Sequence, residues 1–136
     1  MSATPRPLAD DLWRWTARHP EWHPGEFGAE VACFALRTGE ADTVLIDPLL
    51  PPDPAPVLEL IDAILGERLS ILITIPYHVR SSEELWRRYR KQADTAIWGH
   101  AAAADRLADK QGFREIEPGG AEPGGAEPGG AEPGGA

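Results

Sequence analysis

The strongest constraint on the fold is an amphipathic helix followed within six residues by a short apolar run. Val57, Leu60, Ile61, Ile64 and Leu65 recur at the i, i+3, i+4, i+7 and i+8 spacing of one helical face, and Gly66 follows as a stop. Asp53 is placed to cap the start, with Pro54 in the first turn, where a missing N–H costs nothing. Ile71-Leu72-Ile73-Thr74-Ile75 then reads as a strand buried on both sides. Ser81 and Glu84 form a capping-box pattern ahead of Leu85, Trp86 and Tyr89. A third pair follows, with Ala96-Ile97-Trp98 as strand and Ala101 to Lys110 as helix. Strand and helix alternating through short connections imply right-handed crossovers and parallel strands.

Ahead of these units, Val31-Ala32-Cys33-Phe34-Ala35-Leu36 and Thr43-Val44-Leu45-Ile46 are joined by the polar stretch Arg37-Thr38-Gly39-Glu40-Ala41-Asp42, the pattern of an antiparallel hairpin. Apolar residues on both alternating faces of each strand predict a sheet covered on both sides. Residues 1–29 read as an irregular, aromatic-rich lead-in, with Trp13, Trp15, Trp22 and Phe27 interrupted by Pro20, Pro24 and Gly25. Aromatic side chains of this size suit a lid over a core better than a ligand site. Residues 30–116 form the expected α/β domain. From residue 117 to 136 the sequence is Glu-Pro-Gly-Gly-Ala repeated, with no large apolar side chain to offset the entropy of ordering, so this tail is expected to be disordered.

The fold class is therefore α/β: a mixed sheet with a β-hairpin followed by βαβαβα. In such sheets ligands bind beyond the carboxyl ends of the strands. Those ends carry Asp47, the loop Ile75 to Ser81, and Gly99-His100, so three polar features should gather on one edge.

The 136 residues, 42% of them hydrophobic, suffice for one cored domain. The formal charge is −9, and setting aside the four tail glutamates leaves −5. An acidic body argues against nucleic acid or an anionic membrane as partner, since both attract clustered Lys and Arg. Arg87, Arg88, Arg90 and Lys91 do cluster, at an expected helix C-terminus where cations complement the dipole. Cys33 is the only cysteine, so an internal disulfide scaffold is excluded. The N-terminus lacks a signal-peptide apolar stretch and no run reaches membrane-spanning length, which makes a cytoplasmic location the expectation.

The order of elements and the residues at the strand ends resemble the N-terminal half of the metallo-β-lactamase fold. Ile46-Asp47-Pro48 is similar to the turn that ends an early strand in that family. Thr74 opens the stretch equivalent to the family's metal loop, Thr-His-x-His-x-Asp-His, and Ala96-Ile97-Trp98-Gly99-His100 resembles its next strand. The resemblance covers roughly residues 30–107 and implies half of an αββα fold. In the simplest register the family's ligand positions are occupied by Ile75, Tyr77, Val79 and Arg80, and His78 lies one position from the second histidine site. The family's later ligands belong to a second half, in whose place this chain carries the repeat.

The resemblance thus implies a domain with a degenerate metal loop that lacks family-type hydrolysis and serves as a binding or vestigial module, with no cofactor. An alternative is a metal-dependent hydrolase with a single zinc on a non-standard site made by Asp47, His78 and His100, mixed donors that zinc accepts. Another is a domain binding a small anionic ligand through Arg80, Ser81, Ser82 and the N–H groups of the following helix. No Ser-His-Asp or Cys-His nucleophile set follows from the spacing. Without strands for a second sheet, an apolar sheet face would stay uncovered, and self-association or a partner is expected there.

Overall fold

The computed structural model describes residues 4–18 and 30–116. Among the described residues seven strands form one mixed sheet in sequential order, β1-β2-β3-β4-β5-β6-β7. Strands β1 (Arg6–Ala9), β2 (Leu12–Arg18), β3 (Glu30–Arg37) and β4 (Asp42–Ile46) pair antiparallel. From β4 onward the pairing is parallel, through β5 (Arg68–Leu72), β6 (Asp94–Gly99) and β7 (Phe113–Glu115). The crossovers carry α1 (Ala55–Ile64), α2 (Ser82–Tyr89) and α3 (Ala101–Ala104), and a 3-10 turn, Pro76–Val79, precedes α2. No described helix is long and apolar enough to cross a membrane.

The sheet grows in one direction only, so crossovers of the usual right hand put all three helices on the same face. Burial follows that geometry. Trp15, Cys33, Ala35, Leu45, Leu69, Ile71 and Ile97 alternate inward from five strands and pack with Val57 and Ile61 of α1 and Leu85, Trp86 and Tyr89 of α2. Residues of the opposite face, such as Phe34, Val44, Ile46 and Leu72, are only half-buried. The expectation of a sheet covered on both sides therefore holds for one face among the described residues. Apolar alternation reports that a side chain avoids water, and it does not report what provides the cover.

Polar groups fix the joints between layers. The Thr43 hydroxyl donates to the Ile64 carbonyl (2.8 Å) and accepts from the Gly66 N–H (3.0 Å), tying the end of α1 to β4. Tyr89 donates to Asp62 of α1 at 2.8 Å. The Trp86 indole donates to the Thr95 carbonyl at 3.1 Å and is flanked by the Arg90 guanidinium.

Four local expectations are corrected. Leu12–Arg18 is a regular strand with Trp15 buried, where an irregular lead-in was expected, because seven consecutive residues find backbone partners on β3. His19, Trp22, His23 and Phe27, like the 117–136 tail, lie outside the described residues. Helix α1 begins at Ala55 with Pro54 as its cap residue, and Asp53 only accepts from the Ala55 N–H at 3.3 Å. The helix expected over 101–110 stops at Ala104. There the Glu83 carboxylate accepts the Ala108 and Asp109 N–H groups at 3.0 and 2.8 Å, taking donors that further helical turns would have used. Finally β7 is an added strand, since Phe113-Arg114-Glu115 has no apolar run to announce it.

Two measurements check these joints. A Cβ on Gly66 would lie 2.4 Å from the Ala41 carbonyl oxygen, whereas one on Gly39 meets nothing closer than 4.0 Å. Gly66→Ala should lower unfolding free energy by about 1–3 kcal/mol in urea titrations, with Gly39→Ala near neutral. Burial, reinforced by the hydrogen bond to Asp62, pushes the Tyr89 phenol up to about 12. The unfolded phenol titrates near 10, so this contribution is complete below pH ~10 and is lost as pH rises toward about 12. Tyr89→Phe should flatten that alkaline fall in stability.

Candidate functional site

Parallel strands β4, β5 and β6 end on the same edge, so their following residues meet there: Asp47, the loop from Thr74 to Ser81, and His100. Among the described residues, Asp47 and Arg80 are the non-glycine residues with positive φ, 49° and 47°. Such a conformation is sterically costly for an L-residue and persists where surrounding contacts over-determine it. The contacts here do so. The Asp47 carboxylate accepts from the Thr74 N–H (2.8 Å), the Thr74 hydroxyl (2.5 Å) and His78 Nδ1 (2.9 Å). The Asp47 carbonyl in turn accepts from Arg80 Nη1 at 2.7 Å.

This network sets the chemistry available to each group. A carboxylate accepts, so His78 donates through Nδ1 in this pair, and Nε2 is the ring nitrogen left outside it. The Asp47 side chain is 11% exposed and that of His78 29%. His78 is thus oriented by its neighbour and reaches solvent with one ring nitrogen. Asp47 spends both oxygens on the loop and has little left for a metal ion.

His100 shares the edge but takes no part in this network. Its Nδ1 accepts from the Ala102 N–H at 3.0 Å, capping the short helix α3, and its side chain faces solvent. The structure brings together Asp47 and His78 of the proposed metal set and gives His100 a separate local task. Among the described residues no three His, Cys, Asp or Glu side chains converge in a metal-binding group.

Arg80, Ser81 and Ser82 are adjacent but turned inward. The Ser81 hydroxyl accepts from the Leu50 N–H at 2.8 Å, and the Ser81 N–H donates to the Pro48 carbonyl at 2.9 Å. The expected capping box is therefore not formed: Ser81 is the cap residue of α2, but its side chain makes no capping bond. A backbone donor 31 residues earlier in the chain has taken the hydroxyl that local sequence assigns to the helix. Arg80 Nε and the Ser82 hydroxyl are buried without a hydrogen-bond partner. Arg80 also lies near Cys33, whose thiol is pushed up by burial more than the neighbouring Leu49 N–H and Arg80 lower it. A raised, fully buried thiol is a poor nucleophile.

Thr74, Leu49 and Arg106 carry roles that sequence reasoning missed. Thr74 supplies two of the three donors to Asp47, the Leu49 carbonyl accepts the Trp15 indole N–H at 3.0 Å, and the Arg106 guanidinium stacks 4.7 Å from the centre of the Tyr77 ring. Only Thr74 carried a signal, as the polar residue interrupting the apolar run Ile71 to Ile75. Tyr77 and Ile75 are exposed at 69% and 44%, so the loop offers solvent an apolar and aromatic tip.

Comparison with family models, curated proteins and solved structures finds no match to this chain.

Removing the Asp47 carboxylate leaves the Thr74 N–H, the Thr74 hydroxyl and His78 without an acceptor. Asp47→Ala should cost about 2–4 kcal/mol of stability, and Asp47→Asn less, because asparagine tolerates the left-handed backbone and retains one acceptor oxygen. Urea unfolding gives the ranking. Faster amide exchange at Thr74 and His78 in Asp47→Ala would locate the loss in the loop.

Proposed function

We propose that this chain is a metallo-β-lactamase-like α/β domain whose loop keeps the position of a metal loop but serves binding, without metal-dependent hydrolysis. One observation carries the reading. The candidate ligands do not converge: Asp47 commits both oxygens to Thr74 and His78, and His100 Nδ1 accepts the Ala102 N–H, so among the described residues His78 Nε2 is left open to a metal without a second free ligand beside it. A zinc site needs three or four donors free to converge on one point. The antiparallel start, the parallel continuation and the placement of Asp47 against the Thr74 loop support the likeness in fold.

On this reading the part of the loop that meets solvent is recognition surface. Tyr77 stacked beside Arg106, with Ile75, joins an amphipathic ring to a cation, the residue chemistry favoured in protein contacts. Arg80 acts as a strut that holds the Asp47 carbonyl. The rival anion site at Arg80, Ser81 and Ser82 is disfavoured, because the guanidinium and the Ser81 hydroxyl already bond the Asp47 to Leu50 segment.

Metal analysis of protein purified without chelator tests the proposal. The expected result is well below one zinc per chain, with no change in thermal midpoint on adding zinc or chelator. About one zinc per chain, lost in His78→Ala or Asp47→Ala, would overturn it in favour of a mononuclear hydrolase.

A further inference from the structure

The register of the sheet defines a surface that none of the loop chemistry uses. Arg14 pairs with Phe34, Phe34 with Ile46, Ile46 with Leu72, Leu72 with Trp98, and Trp98 with Arg114. Paired residues share a face, so these six side chains form one row across β2 to β7 on the face opposite the helices. The row is four large apolar side chains wide with an arginine at each end, and spans about 24 Å at about 4.8 Å per strand. The next row toward the amino ends of β4, β5 and β6 is Leu12, Leu36, Val44, Ser70 and Ala96, which is smaller on the β5 and β6 side. Trp98 is 36% exposed, and no described helix lies over the face.

We propose that two copies of this chain pair through this face, the row of large residues of each lying over the row of smaller residues of the other. A two-fold axis parallel to the rows and midway between them sets Phe34 over Leu36, Ile46 over Val44, Leu72 over Ser70 and Trp98 over Ala96, and repeats each contact in reverse. Large over small is how facing sheets interdigitate at about 10 Å separation. The same operation satisfies the charges. Neither Arg14 nor Arg114 makes an ion pair among the described residues. The axis carries Arg14 toward the β1–β2 turn of the second copy, where Asp10 is exposed, and Arg114 toward the exposed start of β6 at Asp94. Stacking identical rows directly would instead set arginine on arginine. The interface is isologous and closes at two copies.

The area is modest. About 24 Å across the strands by about 16 Å along them is about 400 Å² in projection, below the roughly 800 Å² per partner of a standard interface. The dimer therefore dissociates on dilution, with a Kd in the micromolar range or weaker. No residue of the Thr74–Ser81 loop takes part in this pairing, which does not depend on how that loop functions.

Sedimentation velocity of the full 136-residue chain over a wide concentration range is the test. The expected result is a monomer that converts to a dimer and goes no further. Trp98→Glu and Leu72→Lys should each weaken pairing at least about tenfold, which is about 1.4 kcal/mol. Arg14→Glu alters only the rim, should leave far-UV circular dichroism unchanged and should also weaken pairing. Adding Asp10→Arg to it should restore pairing by exchanging the two charges. A monomer at every concentration, open-ended association, or a dimer unaffected by Trp98→Glu and by Arg14→Glu would overturn the proposal.

Discussion

The Asp47 carboxylate holds the carboxyl edge of the sheet together. It follows β4 directly, in a left-handed conformation that aspartate tolerates better than most residues because its short polar side chain can bond locally. Here those bonds are tertiary. Two go to Thr74, just past β5, and one to His78, so one buried acidic group couples the end of one parallel strand to the loop after the next. Charge-assisted bonds of this kind are stronger than neutral ones, and a group nearly shielded from water is costly to leave unpaired. The position of the 3-10 turn, the second positive φ at Arg80 and the entry into α2 follow from that anchorage.

Around this anchor the loop is braced from both ends. Arg80 reaches back to the Asp47 carbonyl and Ser81 fastens Pro48 and Leu50, so the segments after β4 and β5 are stitched to each other before α2 begins. Beneath them Leu49 takes the Trp15 indole N–H, which connects the antiparallel half of the sheet to the same turn. Polar side chains that could have faced a ligand are largely consumed in this scaffold. Ile75, Tyr77 and part of the His78 ring remain accessible at the loop.

The two faces of the sheet differ because the strand order never reverses. Each crossover adds its strand on the same side, so the helices accumulate on one face and build the core there. The other face keeps apolar side chains in register without a described layer above them. A doubly wound sheet avoids this by reversing direction at a switch point, which distributes helices to both sides. Pairing of two copies would supply the missing layer with the residues already present.

The sequence by itself determined the α/β class, the hairpin at residues 30–46, helices α1 and α2, and the gathering of Asp47, the Thr74–Ser81 loop and His100 at one edge. These follow from local periodicity and from the connection rules of parallel strands, both of which are written in nearest neighbours along the chain. Tertiary structure alone decided the partners of the polar groups. Ser81 was legible as a helix cap, yet Leu50 took its hydroxyl, and the third helix was legible to residue 110, yet Glu83 captured the amides that would have extended it. Side-chain hydrogen bonds are short-ranged and satisfied by whichever group the fold brings near, in these cases 26 to 31 residues away. Sequence spacing carries no record of that distance. The sequence therefore placed these polar residues on one edge, and only the folded sheet decided which of them bond to one another.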